Sequence, residues 1–244
     1  MVRTPSKLTA KLSPSEASSP QLRIEQGNAH DVDALMRCLV VPTSSTSNTS
    51  KFVDVVFSAI GGVFVPSKWA LDDPHVCEKG MDSLLAAIKR LKEEKPGIQG
   101  PEPVVVAVST TGLSDAGRDI PLLMVPLYKV MLKGPHEDKK AMEDRLARNM
   151  GNGTGGVVRR WIIVRPSLLM DGKPEDVVSE GGSGSLVRVG VEDLSRGEGG
   201  NKVESKAIGY TITREDCGRW VFDELLSGRR DASGYFGKAV TLSY

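Results

Sequence analysis

The chain has 244 residues, and its 32 Lys and Arg residues nearly balance its 31 Asp and Glu residues, which gives a formal net charge of +1. This balance excludes a nucleic-acid-binding protein that acts through bulk positive charge. Hydrophobic residues make up 39% of the chain, so we expect residues 1–244 to form a single domain. There is no apolar run of membrane-spanning length, no signal-peptide pattern and no zinc-type cysteine spacing. We therefore expect a cytoplasmic protein without a metal site.

Short apolar runs alternate with longer helical patterns along the chain. The predicted strands are residues 22–26, 52–60, 104–108, 161–164, 186–189, 211–213 and 239–242. The predicted helices are residues 31–40, 75–95, 122–148 and 214–226, and Asp31 is the expected N-cap of the first. This alternation predicts βαβ units, and therefore an α/β fold with a largely parallel sheet.

The residues that directly follow the predicted strands are the candidate ligand-binding residues, because ligands of parallel sheets bind beyond the carboxyl ends of the strands. These segments are Gly27-Asn28, Ala59-Ile60-Gly61-Gly62, Ser109-Thr110-Thr111 and Pro166-Ser167. Their small residues allow a ligand to approach the backbone closely. The glycine pair is equally typical of an ordinary turn that ends a strand.

Five segments, taken in chain order, carry a family pattern. They are Val2–Leu8, Gln26-Gly27-Asn28 with Asp31, Asp54–Gly61, Ile163–Pro166 and Thr213–Asp216. In this order and spacing they resemble the atypical short-chain dehydrogenase/reductase family, in its NmrA-like, NAD(P)H-binding branch. The resemblance implies a Rossmann-like, doubly wound fold with a mainly parallel sheet, and a variable substrate-side region around residues 171–210.

The same resemblance implies a nicotinamide dinucleotide cofactor at these strand ends. The cofactor-binding residues that it implies are Arg3, Gly27, Asn28, Ala59, Ile60, Gly61, Lys139 and Pro166. Arg3 lies in the segment that resembles the end of the second strand, where a guanidinium would suit the 2′-phosphate of NADP, so NADP is favoured over NAD. The alternative is that Arg3 is a flexible terminal residue without a binding role.

In that family, Val2–Leu8 would correspond to the end of the second strand. It is preceded there by the first strand, a glycine-rich turn and a helix whose N-terminus holds the pyrophosphate. No such glycine pattern follows a strand near the start of this sequence, and GNGTGG at 151–156 precedes a strand, which indicates a loop. We therefore expect a fold that is N-terminally truncated, with its first βα unit absent. Two explanations stay open: an incomplete gene model or isoform of a normal enzyme, or a natural short form that uses no cofactor in the usual way.

The family's catalytic pattern is a Ser after the fifth strand and a Tyr-x-x-x-Lys pair on the next helix. Ser109 and Lys139 stand at the corresponding places, but Pro135 stands where the Tyr would be. Tyr128 lies too far from Lys139 along the chain to be the motif partner. We predict His136 as the substitute proton carrier, because imidazole suits proton transfer near neutral pH.

Each of these residues also has an ordinary structural explanation. His136 and Lys139 lie in a charged run that fits a solvated helix face, and Ser109 fits a turn. Three functions therefore stay open. They are an NADP-preferring oxidoreductase that acts on a carbonyl or enone of a small metabolite, a dinucleotide-sensing regulator without turnover, and a cofactor-independent isomerase or cyclase. The sequence does not reveal the oligomeric state.

Overall fold

The computed structural model describes residues 1–43, 50–65, 67, 70–95, 97–130, 132–149, 156–172, 187–194 and 201–244. The helices are α1 (Pro5–Thr9), α2 (Pro14–Ala17), α3 (Val32–Cys38), α4 (Val76–Glu94), α5 (Val125–Val130), α6 (Lys133–Arg148) and α7 (Arg214–Val221). The strands are β1 (Val40–Pro42), β2 (Ser50–Phe52), β3 (Val55–Ser58), β4 (Phe64–Val65), β5 (Ala70–Leu71), β6 (Val104–Val108), β7 (Trp161–Pro166), β8 (Leu168–Met170), β9 (Arg188–Asp193), β10 (Lys202–Ser205), β11 (Thr211–Thr213) and β12 (Lys238–Ser243).

The largest sheet contains six strands in the order β10-β9-β12-β7-β6-β3. Strands β3, β6, β7 and β12 are parallel, whereas β9 and β10 continue the sheet in antiparallel pairing. Helices α3, α4 and α6 pack on one face of this sheet, and α7 packs on the other. This is an α/β, Rossmann-like fold with a mainly parallel sheet, and it confirms the fold class predicted from the sequence.

The strongest sequence patterns produce the most regular elements. Strand β7 is buried at every position, as expected of an apolar run that is covered on both faces. Helix α4 buries the stripe formed by Met81, Leu84, Ile88 and Leu91 against the sheet, and its charged residues face solvent. The Asp31 side chain accepts a hydrogen bond from the Ala34 amide, which confirms the predicted N-cap of α3.

Near the N-terminus, the prediction of strands is wrong in three places. Residues 5–9, within the segment compared with a strand end, form α1, because Pro5 favours the first turn of a helix. The strand predicted at 22–26 is reduced to one parallel bridge between Val2 and Gln26. The strand predicted at 52–60 is divided, because β2 pairs with β1 while β3 pairs with β6.

The single helix predicted for residues 122–148 is also wrong. The structure has a 3₁₀ turn at Leu122–Met124, then α5, and a separate helix α6 for which Leu132 is the N-cap. Pro135 explains this division, because proline is tolerated in the first turn of a helix and not in its interior. After this division, the Tyr128 ring of α5 contacts the His136 ring of α6.

Two predicted regions lie partly outside the described residues. These are residues 151–155 of the GNGTGG segment, and residues 173–186 and 195–200 of the variable region 171–210. Within the described part of that region, β9 pairs with β12 and β10 pairs with β9. None of the helices described has the length and hydrophobicity needed to cross a bilayer.

Candidate active site

A first cavity, of about 600 Å³, lies at the carboxyl end of β3 and along the edge of β3 that is not paired with β6. Among the described residues, no strand pairs with that edge, so β3 is the last strand on this side of the sheet. Residues on both sides of the bridge between Val2 and Gln26 form the opposite wall. Six of the predicted cofactor-binding residues line this cavity: Arg3, Gly27, Asn28, Ala59, Ile60 and Gly61.

Arg3 lies close to an acidic loop at this cavity. The Val63 amide donates a hydrogen bond to Asp72, which lowers the pKa of that carboxyl, and the positive charge of Arg3 lowers it further. The Arg3 side chain is therefore within electrostatic reach of Asp72. A phosphate group bound here would therefore compete with Asp72 for the Arg3 guanidinium.

Lys139 connects the first cavity with the centre of the sheet. Its Nζ donates hydrogen bonds to the carbonyl oxygens of Ile60 and Val108, both at 2.7 Å. Ile60 follows β3, and Val108 ends β6, so one ammonium group holds the carboxyl ends of two neighbouring parallel strands. Because α6 carries Lys139, this helix is fixed directly above the strand ends where ligands of such sheets bind.

A second cavity, of about 700 Å³, lies beside the N-terminal turn of α6 and is lined by Tyr128 and His136. The two rings meet edge to face, with centroids 5.0 Å apart. The Tyr128 hydroxyl lies 3.2 Å from Oγ1 of Thr111, which belongs to the loop after β6. Both His136 ring nitrogens face backbone oxygens: Nδ1 lies 2.8 Å from that of Leu132 and Nε2 lies 3.1 Å from that of Thr111.

Three predicted site residues lie outside the lining of both cavities: Lys139, which reaches the first cavity only through the Ile60 carbonyl, and Ser109 and Pro166, which are buried. Ser109 follows β6 and is buried, and its hydroxyl has no hydrogen-bond partner among the described residues. Pro166 ends β7, and its carbonyl accepts from the Thr111 amide at 3.1 Å. Ser109 and Pro166 thus adjoin the loop that carries Thr111, and their predicted roles stay predictions.

Sequence reasoning missed the residues that hold α4 and α6 in place. The buried Asp138 carboxylate accepts from the amides of Cys77 at 3.0 Å and Glu78 at 2.9 Å, and so caps α4 from a different helix. No local signal could have shown this, because Asp138 lies in a charged run that reads as a solvated helix face.

A buried ionic cluster anchors the same helix to the sheet. Arg165 of β7 donates to both carboxylate oxygens of Glu143 on α6, at 2.9 and 2.6 Å. It also donates to Glu192 of β9 at 2.7 Å. Burial would lower the pKa of Arg165, but the two carboxylates outweigh burial and raise it. The cluster fixes the rotation of α6, and therefore the side on which Lys139 lies.

Two curated proteins are similar to this chain over most of its length. The reductase pytE of Aspergillus terreus is 36% identical, with 100% of this chain and 87% of that protein covered. The oxidase pynE of Aspergillus niger is 31% identical, with 93% of this chain and 83% of that protein covered. The chain belongs to the family of these two proteins, one of which is named a reductase and the other an oxidase. No protein-family profile matches it.

Solved structures superpose on this chain over most of its length. A candidate epimerase from Bacteroides thetaiotaomicron superposes with a TM-score of 0.53 at 14% identity, over 100% of this chain and 83% of that one. A protein from Lactobacillus casei gives a TM-score of 0.51 at 12% identity, over 99% of this chain and 85% of that one. At these identities the comparison shows the Rossmann-like fold alone.

Gly112 is the residue that brings the loop after β6 against the Tyr128 ring. It has a positive φ of 89°, and a Cβ atom there would lie 2.7 Å from Tyr128 Cδ1. We expect Gly112→Ala to lower the free energy of unfolding by about 1–3 kcal/mol, through backbone strain and this clash. Urea denaturation measures the loss.

Gly134→Ala is the matched control for Gly112→Ala. Gly134 lies in α6, and a Cβ there meets nothing within 4 Å. We expect it to be neutral or to raise stability by about 0.5–1 kcal/mol, because Ala favours a helix over Gly. Equal stabilities of the two variants would contradict the role of Gly112 in this loop.

Proposed function

We propose that this protein is a NAD(P)-dependent oxidoreductase of the atypical short-chain, NmrA-like type, which prefers NADP and acts on a carbonyl or enone of a small metabolite. The observation that carries the proposal is that one helix, α6, contacts residues of both cavities. The Lys139 ammonium group binds the Ile60 carbonyl at the first cavity, and His136, one turn earlier on the same helix, lines the second. A cofactor site and a substrate site that are both in contact with one helix would suit transfer between two bound molecules.

The residues of the first cavity fit the nucleoside parts of a dinucleotide. Ala59 and Gly61 are small, and a Cβ atom at Gly61 would meet nothing within 4 Å, so the strand end is open to a ligand. The N-termini of α3 and α4, the two helices with residues in the lining of this cavity, are already capped, by Asp31 and by Asp138. These two helices therefore offer the pyrophosphate few free amides, and in the proposal the affinity comes mainly from Arg3 and from the N–H of Lys139 that remains beside its two carbonyl contacts.

A bound nicotinamide would supply hydride transfer to or from a substrate carbon. In the proposal, Arg3 binds the 2′-phosphate in place of its interaction with Asp72, and Lys139 orients the neighbouring ribose. His136 would hold a proton beside the substrate once one of its ring nitrogens leaves its backbone oxygen. The Ser109 hydroxyl, which has no hydrogen-bond partner among the described residues, follows Val108. Pro166 and the turn at Gly27-Asn28 would shape the boundaries of the site.

Titration of the protein with NADPH and with NADH, followed by nucleotide fluorescence and by thermal shift, tests the proposal. We expect binding of both, with NADPH tighter, and loss of that preference in Arg3→Gln. Binding without reduction of any carbonyl compound would favour the dinucleotide-sensing regulator. No binding of either nucleotide would overturn the oxidoreductase and favour the cofactor-independent isomerase or cyclase.

Lys139→Met gives a sharper version of this test. It removes an ammonium group that contacts two strand-end carbonyls, so we expect NADPH affinity to fall about tenfold or more, as for loss of a charge-assisted hydrogen bond. Lys89→Met, on the exposed face of α4, is the control and should leave the affinity unchanged. If both variants bind NADPH like the original protein, Lys139 is not a cofactor-binding residue.

A further inference from the structure

A third cavity, of about 440 Å³, lies beside α7, on the face of the sheet opposite α4 and α6. None of the described residues that line it lines the first or the second cavity. Its wall contains Val187, the Trp220 ring and six charged side chains, which are those of Asp216, Arg219, Asp223, Glu224, Arg229 and Arg230. Three of these charges are positive and three are negative, so the wall as a whole favours neither an anion nor a cation.

Two of these charged side chains pair with each other, and two others have no partner. Arg230 lies 2.5 Å from Glu224. The side chains of Asp223 and Arg229 make no hydrogen bond or ion pair with any described residue, since only their backbone atoms contact Ser227. A carboxylate and a guanidinium therefore both stay available in one cavity, and each can form a charge-assisted hydrogen bond with a ligand group of opposite charge.

Asp216 adds a second carboxylate to this wall, and its side chain is only 1% exposed. Its Oδ2 accepts a hydrogen bond from the Tyr244 hydroxyl at 2.6 Å, whereas its buried Oδ1 has no hydrogen-bond partner among the described residues. Arg219 Nη1 lies 4.0 Å from Oδ1, which is beyond hydrogen-bond distance, and the same guanidinium is held by Glu215 at 2.7 Å. Because the Arg219 side chain is 56% exposed, it can move aside and let a ligand donor reach this oxygen.

The backbone departs from the α-helical hydrogen-bond pattern at the third cavity. Residues Phe222–Leu226 form a π-helical turn directly after α7, and the Ser227 amide donates to the Phe222 carbonyl at 2.8 Å. Turns of this kind are rare, and they occur frequently at functional sites. This turn carries Asp223 and Glu224, so the irregular backbone shapes the acidic side of the cavity.

From these contacts we infer that the third cavity binds a free zwitterionic amino acid with an apolar side chain. Its ammonium group pairs with Asp216 and Asp223, and its carboxylate pairs with Arg229. Its side chain packs against the Trp220 ring, which offers apolar surface and an aromatic face that also attracts the ammonium group. An amine or a carboxylate alone would leave part of this set unpaired. The site lies away from the proposed cofactor and substrate cavities, so the inference goes beyond the proposed function and does not depend on it.

The probe for this inference is L-phenylalanine, compared with 2-phenylethylamine, which lacks the carboxylate, and with 3-phenylpropanoate, which lacks the ammonium group. Isothermal titration calorimetry at neutral pH gives the three affinities. We expect L-phenylalanine to bind at least about tenfold more tightly than either analogue, because each analogue loses a hydrogen bond between charged groups. Tryptophan fluorescence should change during the same titration, and Trp220→Phe should abolish that change.

Two variants separate the ends of the ligand. Arg229→Gln should weaken L-phenylalanine binding about tenfold and leave the affinity for 2-phenylethylamine unchanged, because it removes only the partner of the carboxylate. Asp216→Asn should weaken the binding of both compounds, because the amide oxygen still accepts from Tyr244 but carries no charge. Arg214→Gln is the matched control, since this arginine of α7 is 56% exposed, pairs with Asp171 and does not line the cavity. It should leave every affinity unchanged.

No binding of L-phenylalanine at millimolar concentration, equally tight binding of either analogue, or an unchanged affinity in Arg229→Gln would each overturn this inference. Arg229 is exposed, so this variant keeps the test decisive even if Asp216→Asn fails to fold. NADPH binding, measured on the same samples, separates the two proposals. A protein that binds NADPH but not L-phenylalanine keeps the proposed function and loses the amino-acid site. A protein that binds L-phenylalanine but neither nucleotide keeps the amino-acid site and loses the oxidoreductase.

Discussion

Replacement of Arg165 by Met is expected to lower the free energy of unfolding by about 3–5 kcal/mol, the usual cost of removing one partner from a buried ion pair. The Arg165 and Glu143 side chains are 1% and 2% exposed, and that of Glu192 is 8% exposed. Without the guanidinium, two carboxylates stay in the protein interior with no cation to neutralise them. Chemical denaturation followed by circular dichroism measures the difference.

Arg159→Met is the matched control, because its side chain is 75% exposed and lies 3.7 Å from Glu102 at the surface. An exposed ion pair contributes about 0–1 kcal/mol, so we expect little change. A loss below about 1 kcal/mol for Arg165→Met would mean that water or local rearrangement replaces the guanidinium. The double variant Arg165→Met, Glu143→Leu should recover part of the lost stability. It also removes the Glu143 carboxylate, which would otherwise stay buried without the guanidinium.

Asp138→Ala is expected to lower the free energy of unfolding by about 2–4 kcal/mol. The carboxylate accepts from two amides at the start of α4, and each buried donor left without a partner costs about 1–3 kcal/mol. Asp138→Asn should retain part of the cap through its side-chain oxygen. Thermal and urea denaturation of both variants measure the effect.

The neighbouring Glu137→Ala is the control for Asp138→Ala. The Glu137 side chain is 68% exposed, and surface substitutions of this kind usually change stability by less than about 0.5 kcal/mol. A similar loss in both variants would show that the effect reflects the helix itself and not the cap on α4. Hydrogen exchange at the Cys77 and Glu78 amides reports the cap directly, and it should accelerate in Asp138→Ala alone.

Both predictions concern α6, the helix that carries the proposed catalytic residues. Asp138 contacts α4, Lys139 contacts the ends of β3 and β6, and Glu143 contacts β7 through Arg165. Along the helix, successive turns are thus attached to different elements. In the proposed function, this fixes the distance between the cofactor cavity and the substrate cavity, because a helix held at several points cannot rotate.

Part of the candidate site could be predicted from the sequence. Ala59, Ile60 and Gly61 follow an apolar run that forms a strand, and strand ends in parallel sheets bind ligands, so the pattern alone leads to the first cavity. Tyr128 could not be found in this way. Its contact with His136 depends on the break between α5 and α6, which the sequence pattern did not reveal. Its separation from Lys139 along the chain also spoke against a shared site.

The length, the balanced charge and the alternation of apolar runs with helical patterns determined the α/β class and the buried strands β6 and β7, because burial on both faces requires continuous apolar sequence. They also determined the strand ends that line the first cavity. Only the tertiary structure decided which charged residues of α6 are buried. Asp138 and Glu143 look like solvated residues of a charged helix, and they became interior groups because their partners, the start of α4 and Arg165, are supplied by distant segments of the chain.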